Sequence, residues 1–233
     1  MQSWSVIVFC YNEKGTIINV LYNLEKVLNV IANNDWEVLI VDDGSDDGST
    51  ELINKYIIGK SNCKLIIHEL NMGIGSAIKS GLQFVKNENI SIVPADGQFN
   101  TDELVIFKSI PEKTIYSLYR TNKYQSIKRN LLTYFNRTII GLLFHYNIKD
   151  INWIIIFKNS ELKKLKLKLK SSLIMSELVI KMLINGCSLK EYPSYYYNRS
   201  YGYSKGGSFK IVKKALMEVV LLIFEIFRFK NNN

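Results

Sequence analysis

Five polar clusters hold the residues of this chain whose types and spacing could do chemistry: Tyr11-Asn12-Glu13, DDGSDDGST (Asp42 to Thr50), NMGIGSAIKSG (Asn71 to Gly81), ADGQ (Ala95 to Gln98) and RSYGYSKGG (Arg199 to Gly207). Asp42 or Asp43, at the end of an apolar run, could accept hydrogen bonds from a nucleotide's base or ribose. The same Asp, Gly and Ser residues also suit a turn, with Ser49 capping a following helix. The glycines of NMGIG stand at a helix entry, where backbone N–H groups can approach an anion. Close helix packing accounts for them as well. Position 78 is Ile and the first strand lacks a glycine loop, which argues against a dinucleotide-binding fingerprint.

ADGQ offers a carboxylate and an amide carbonyl at i and i+2, on one side of an extended strand end. Those are oxygen donors of the kind a hard cation such as Mg²⁺ prefers. Metal-dependent enzymes often carry two acids spaced D-x-D in such a stretch, and here Pro94 stands in the first slot. One acid is a permissible site, because Mg²⁺ often takes one or two protein ligands and completes its shell with water and phosphate oxygens. Arg199, Ser204 and Lys205 lie in a Tyr-, Gly- and Ser-rich stretch. Arg pairs with phosphate oxygens through a fork and Lys adds a point charge; a solvated basic loop is the alternative.

The elements that must position these clusters alternate. Ser5 to Cys10, Trp36 to Val41, Lys64 to His68 and Ile90 to Val93 read as strands. Helical stretches from about Thr16 to Ile31, Ser49 to Ile57 and NMGIG through Val85 separate them. This order predicts an α/β domain with a largely parallel sheet, whose ligands bind beyond the carboxyl ends of the strands. Tyr11-Asn12-Glu13, DDGSDD, NMGIG and ADGQ all fall at such ends. Further on, Thr114 to Tyr119 and DINWIIIF read as strands, Arg129 to Phe144 and Leu173 to Ile184 as helices, and EYPSYYYNRSYGYSKGG as a flexible loop. LKKLKLKLK (Leu162 to Lys170) reads as a solvated lysine-rich surface or a contact for anionic lipid.

The 233 residues, 47% hydrophobic and 22% charged, suit one globular domain. The three cysteines form neither a metal-ligand spacing nor a disulfide framework, as suits a reducing compartment. The start has no basic region followed by an apolar core, so no secretory leader is expected. A net charge of +9 calls for an anionic partner: nucleic acid, anionic lipid or a phosphorylated small molecule. The sequence lacks an aromatic–basic strand motif or recognition helix, which argues against nucleic acid. Lys210 to Lys230 is apolar but interrupted by charges, too short and too charged to span a bilayer. It is expected to lie in a membrane interface, to pack on the domain or to meet a partner.

Taken in order, SVIVFCYNEKGTI, VLIVDDGSDDGS, NMGIGSAIKSG, PADGQFNTDEL, DINWIIIF and RSYGYSKGG resemble the family 2 glycosyltransferases of GT-A fold, in the dolichol-phosphate mannosyltransferase-like branch. The resemblance implies a Rossmann-like sandwich with a mostly parallel sheet over residues 1–208 and an amphipathic, membrane-interfacial helix over 209–233. It implies an inverting, metal-dependent transfer from a UDP- or GDP-linked sugar to a polyprenyl phosphate, on the cytoplasmic face of a membrane with an anionic surface. Tyr11, Glu13, Asp42, Asp43, Asn71, Gly73 and Asp96 would bind the nucleotide. Asp96 and Gln98 would ligate Mg²⁺ or Mn²⁺. Arg120, Arg129, Thr133, Arg199, Ser204 and Lys205 would hold the acceptor phosphate. Asp96, Asp150 and Arg199 are the implied catalytic residues.

The chain departs from the family pattern at Phe9 (usually Pro), Ile74 (commonly Lys) and Pro94 (the first acid). Two other readings stay open: transfer to a sugar hydroxyl in polysaccharide synthesis, which needs a base, and nucleotide-sugar binding without catalysis, which the missing acid motivates.

Overall fold

Uninterrupted apolar strands need cover on both faces, and alternation along β1 (Trp4–Cys10) shows how this chain supplies it. Trp4, Val6, Val8 and Cys10 join one core cluster and Ile7 the other. The computed structural model describes residues 2–32, 34–122, 138, 141, 146–171, 173–201 and 209–231, with backbone alone at 209–217. After β1 come α1 (Ile17–Ala32), β2 (Trp36–Asp42), α2 (Ser49–Ile57), β3 (Cys63–Ile67), α3 (Ile74–Leu82) and β4 (Asn89–Pro94). A 3-10 helix (Thr101–Phe107), β5 (Thr114–Arg120), β6 (Ile155–Lys158), α4 (Asn159–Leu162), α5 (Ile174–Ile184), β7 (Ser188–Ser194) and α6 (Phe209–Asn231) complete the order.

The seven strands form one sheet in the order β3-β2-β1-β4-β6-β5-β7. β3, β2, β1 and β4 are mutually parallel, β6 runs against both its neighbours, and β7 pairs parallel with β5. This is the mostly parallel α/β arrangement expected. Because β1, β2 and β4 are parallel neighbours, with Phe9 opposite both Val41 and Pro94, the segments that follow them leave the same edge of the sheet. One face is covered by α1, α2 and the 3-10 helix; the other by α3, α5 and α6. α3 sits so close that a Cβ on Gly81 would lie 2.6 Å from Ile7 Cγ2.

Two expectations are adjusted, and a third falls almost wholly outside the described residues. In DINWIIIF only Ile155 onward is strand, since Ser117 Oγ holds Asp150 O and the Arg120 guanidinium grips its carboxylate, which draws the segment start into a turn. The Tyr-rich stretch begins as strand rather than loop: Glu191–Ser194 is the second half of β7, in register with β5 from Thr114↔Ser188 to Arg120↔Ser194. An edge strand with half its residues polar carries little apolar signal. Of the helix expected over Arg129–Phe144, only Thr138 and Gly141 are among the described residues.

The lysine-rich run proves half structural. Leu167 and Leu169 are buried while Lys166, Lys168 and Lys170 are exposed. Its backbone is fastened by a buried ion pair on α5. Glu177 accepts from Lys168 N and Leu169 N at 2.9 Å each, Lys181 Nζ lies 2.5 Å from Glu177 Oε1, and Lys181 also donates to Lys166 O at 2.7 Å. Removing one partner of such a pair leaves an uncompensated buried charge, here with two backbone amides orphaned too. Glu177→Ala is therefore expected to destabilise the fold by about 3–5 kcal/mol, read from urea unfolding. A loss below about 1 kcal/mol would show that the pair behaves like a surface salt bridge.

Candidate active site

The first two clusters are bound into one unit. Glu13 N donates to Ser49 Oγ (3.0 Å), Asn12 N to Ser45 Oγ (2.9 Å) and Lys14 N to Asp47 Oδ2 (3.0 Å). Asn12 adopts a left-handed φ of 57°, and its side chain exchanges hydrogen bonds with Asp46. Asp42, fully buried, accepts from Ser45 N (3.1 Å), Ser45 Oγ (2.5 Å) and Thr50 Oγ1. Its carboxylate thus ties together the loop that follows β2. Tyr11, half-buried, follows the end of β1 on the same edge.

Asp43 joins the second cluster to the third. Its carboxylate accepts from Met72 N (3.0 Å) and Gly73 N (2.8 Å), and His68 Nδ1 lies 2.7 Å away. The anion bound by the first N–H groups of the NMGIG loop is therefore the protein's own Asp43, while Asn71 beside them is exposed. Gly44, with φ 74°, packs so tightly that a Cβ would lie 2.6 Å from Leu70 C. Sequence reasoning missed His68. Its side chain is largely shielded just beyond β3, with Nε2 2.9 Å from Ser80 Oγ, so it links β2, β3 and α3. Its position as one of only two histidines, at a strand end, was the available signal.

The fourth cluster ends β4. Asp96 Oδ1 accepts from Gln98 N (3.1 Å) across Gly97, whose φ is 72°. Gln98 Nε2 donates to Tyr197 O (3.1 Å), and Tyr197 N returns a bond to Gln98 O (3.0 Å). This pairing, with a bridge between Phe99 and Tyr196, lays residues 195–201 across the site. Arg199 reaches between two acids, with Nη1 2.7 Å from Glu13 Oε1 and Nη2 3.0 Å from Asp96 Oδ2. Burial pushes the Asp96 carboxyl above the usual Asp range, and the Arg199 charge and the Gln98 N–H only partly offset it. Thr16, also missed, fastens α1 to this loop by donating to Ala95 O (2.8 Å). Beyond Gly97 opens a cleft of about 400 Å³ lined in part by Thr16, Asn19, Phe99, Asn100 and Tyr197.

Arg120 and Asp150 form a separate fork, Nε to Oδ2 at 2.6 Å and Nη2 to Oδ1 at 2.9 Å. The guanidinium lies 4.9 Å from the Trp153 ring and 5.3 Å from that of Tyr196. The structure thus brings Glu13, Asp96 and Arg199 together and pairs Arg120 with Asp150. Arg129, Thr133, Ser204 and Lys205 lie outside the described residues. At the end of β1, burial and then the nearby Asp42 charge push the Cys10 thiol up to about 12, which disfavours the thiolate there.

The donor set suits a cation whose remaining ligands come from substrate. Asp96 supplies a carboxylate, and the Gln98 amide, with its nitrogen engaged, presents oxygen as its other end. Among the described residues no group of three or more His, Cys, Asp or Glu side chains could hold a metal by itself.

A sheet of this order, with acidic strand ends on one edge, defines a GT-A glycosyltransferase fold. It is shared with mannosyltransferase PcManGT from Pyrobaculum calidifontis, solved with GDP-Man and Mn²⁺ (TM-score 0.65, 16% identity, 97% of this chain and 64% of that one). It is shared too with glucosyl-3-phosphoglycerate synthase from Mycobacterium tuberculosis, solved with Mn²⁺, UDP-glucose and phosphoglyceric acid (TM-score 0.69, 13% identity, 97% and 79%). Residues 5–109 match the model of Glycosyl transferase family 2. A dolichyl-phosphate beta-glucosyltransferase (ALG5A) of Trichomonas vaginalis is 32% identical over 124 residues, 50% of this chain and 36% of that protein. The chain thus spans about a third of the length of that curated relative.

If His68 fixes Asp43, His68→Ala should cost about 1–3 kcal/mol and speed amide exchange at Met72 and Gly73. Unchanged unfolding and unchanged exchange would show that Asp43 holds the loop without help.

Proposed function

We propose that this chain is an inverting glycosyltransferase that moves a sugar from a UDP- or GDP-linked donor to a polyprenyl phosphate, with residues 1–208 as the transferase domain. The observation that carries the reading is Asp96, largely buried and followed by Gln98 just beyond β4, joined to Glu13 through Arg199 within the stretch that matches the family 2 model. The dolichyl-phosphate acceptor in the relative's name supports the acceptor class.

Asp42 and Asp43 act on the nucleotide chiefly through the loops they hold, with Tyr11, Glu13, Asn71 and Gly73 lining base and ribose. Asp96 and the Gln98 carbonyl would hold Mg²⁺ or Mn²⁺, the ion of the structural neighbours. When bound, that ion supplies charge stabilisation to the leaving diphosphate. The acceptor phosphate is already anionic at neutral pH, so no strong protein base is required; the protein's task is in-line positioning. Arg120, Arg129, Thr133, Ser204 and Lys205 would serve the acceptor phosphate, and Arg199, which also touches Asp96, would face both acceptor and donor. Asp150 acts by orienting Arg120. A sugar hydroxyl is the second reading, favoured by the engagement of Arg120 and Arg199 with separate carboxylates.

Transfer from a panel of nucleotide sugars to a short polyprenyl phosphate and to oligosaccharides, detected by mass, separates the two acceptors. Asp96→Asn should lower turnover roughly 100-fold or more, the scale of losing several kcal/mol of charge stabilisation. Wild-type turnover in that variant would remove Asp96 from the mechanism.

A lipid acceptor requires the enzyme to meet a membrane. No helix of the described residues is long and apolar enough to cross one. α6 packs on the domain through Val219, Leu222 and Ile226 and leaves Val220, Leu221, Phe224 and Phe227 exposed, with Arg228 and Lys230 in its last turn. The exposed stripe is the membrane-interfacial face in this reading, on the cytoplasmic side. Burying one Phe side chain is worth about 1.5–3 kcal/mol, so Phe224→Glu should weaken co-sedimentation with anionic liposomes about tenfold or more. Equal sedimentation would place the contact elsewhere.

A further inference from the structure

We propose that Arg199 is the resident cation of the donor site: it occupies Asp96 and Glu13 until a divalent ion takes Asp96 and frees the guanidinium for phosphate oxygens. The proposal rests on the assignment of Asp96 as the metal-holding carboxylate.

Glu13 and Asp96 come from segments that follow the adjacent parallel strands β1 and β4, and both are largely buried. Two such carboxylates repel unless a positive group stands between them. The chain supplies one from 186 residues away in sequence. Arg199 Nη2 and Gln98 N are on opposite oxygens of Asp96, so a metal binding this carboxylate meets a guanidinium already in contact with it. Two cations on one carboxylate oppose each other, and Pro94 stands where the first acid of a D-x-D pair would have shared the ion. Metal and Arg199 are alternative partners of Asp96.

Release is built for. The segment that carries Arg199 crosses the site on the paired bonds of Gln98 and Tyr197 and the Phe99–Tyr196 bridge. Tyr201 rests against Gly15, where a Cβ would lie 2.3 Å from the ring, and Tyr195, Tyr197 and Tyr201 are exposed. Of its tyrosines only Tyr196 packs on the core, beside Trp153, and a segment so lightly anchored belongs at the low-stability end for local opening. Arg199 Nε, although buried, meets no acceptor among the described residues. An unmet donor of a guanidinium is best answered by an anionic oxygen, and a diphosphate carries several.

Two consequences follow. Metal alone must displace Arg199 and binds weakly. Metal and nucleotide together give the displaced guanidinium a new partner, so each raises the affinity for the other by the same factor.

The test is calorimetric titration of Mn²⁺ into the full chain, with and without UDP or GDP. Arg199→Gln should bind Mn²⁺ alone roughly tenfold more tightly than wild type and should show a smaller gain on adding nucleotide. Equal affinities in the two proteins overturn the proposal. Asp96→Asn serves as the control on the underlying assignment: if it binds Mn²⁺ like wild type, the metal site itself is wrong. Loss of metal in Asp96→Asn together with unchanged affinity in Arg199→Gln sinks the exchange alone. A measurement on the unaltered protein guards against misfolding of the variant. Saturating Mn²⁺ without nucleotide should raise labelling of Arg199 by an arginine-specific dicarbonyl severalfold, mapped by mass; labelling indifferent to Mn²⁺ contradicts the exchange.

Discussion

Negative charge crowded onto one edge of a sheet must be answered, and that constraint organises this molecule. Glu13, Asp42, Asp43 and Asp96 all sit at or just beyond the ends of parallel strands, and all are buried or nearly so. A carboxylate out of water is costly unless hydrogen bonds or opposite charges replace its hydration. The chain answers Asp42 with hydroxyls, Asp43 with backbone amides and a histidine, and the Glu13–Asp96 pair with a guanidinium. The answers to Asp43 and to the Glu13–Asp96 pair bring in segments from elsewhere in the chain, so satisfying those charges also assembles the site.

The answers differ in how easily they are withdrawn. The hydroxyls on Asp42 belong to its own loop, and the amides on Asp43 open α3, so neither can leave without unfolding the backbone that carries it; Asp42 and Asp43 are therefore fixed parts of the scaffold. The cation on Asp96 arrives on a half-exposed strap held by a few bonds. The donor edge thus combines a rigid half, around β2 and α3, with a half that can change partners, around β4.

Much of this was legible in the sequence. Period and turn residues gave the first four strands and the helices between them, and polar clusters at strand ends marked the edge where the site lies. Three things were not. The β7 edge strand SLKEYPS is too polar to announce itself, and only its register with β5 reveals it. The buried pair Glu177–Lys181 lies four residues apart on α5, a spacing shared by countless exposed pairs, and burial depends on what packs above it. The position of Arg199 depends on a crossing of residues 98–99 by 196–197, a contact of long sequence separation that no local pattern encodes. Residue type suggested a phosphate ligand; tertiary placement put it on carboxylates.

The strap Lys166–Lys170 has its own lesson. Every bond that fixes it uses backbone atoms or the inward leucines, and the side chains of Lys166, Lys168 and Lys170 take no part in those bonds. Its outer face is therefore decoupled from its foldedness. Substitutions there can drift through positive, neutral or negative charge while the chain keeps the same shape. The electrostatic character of this side of the molecule is a freely adjustable trait, open to selection one codon at a time.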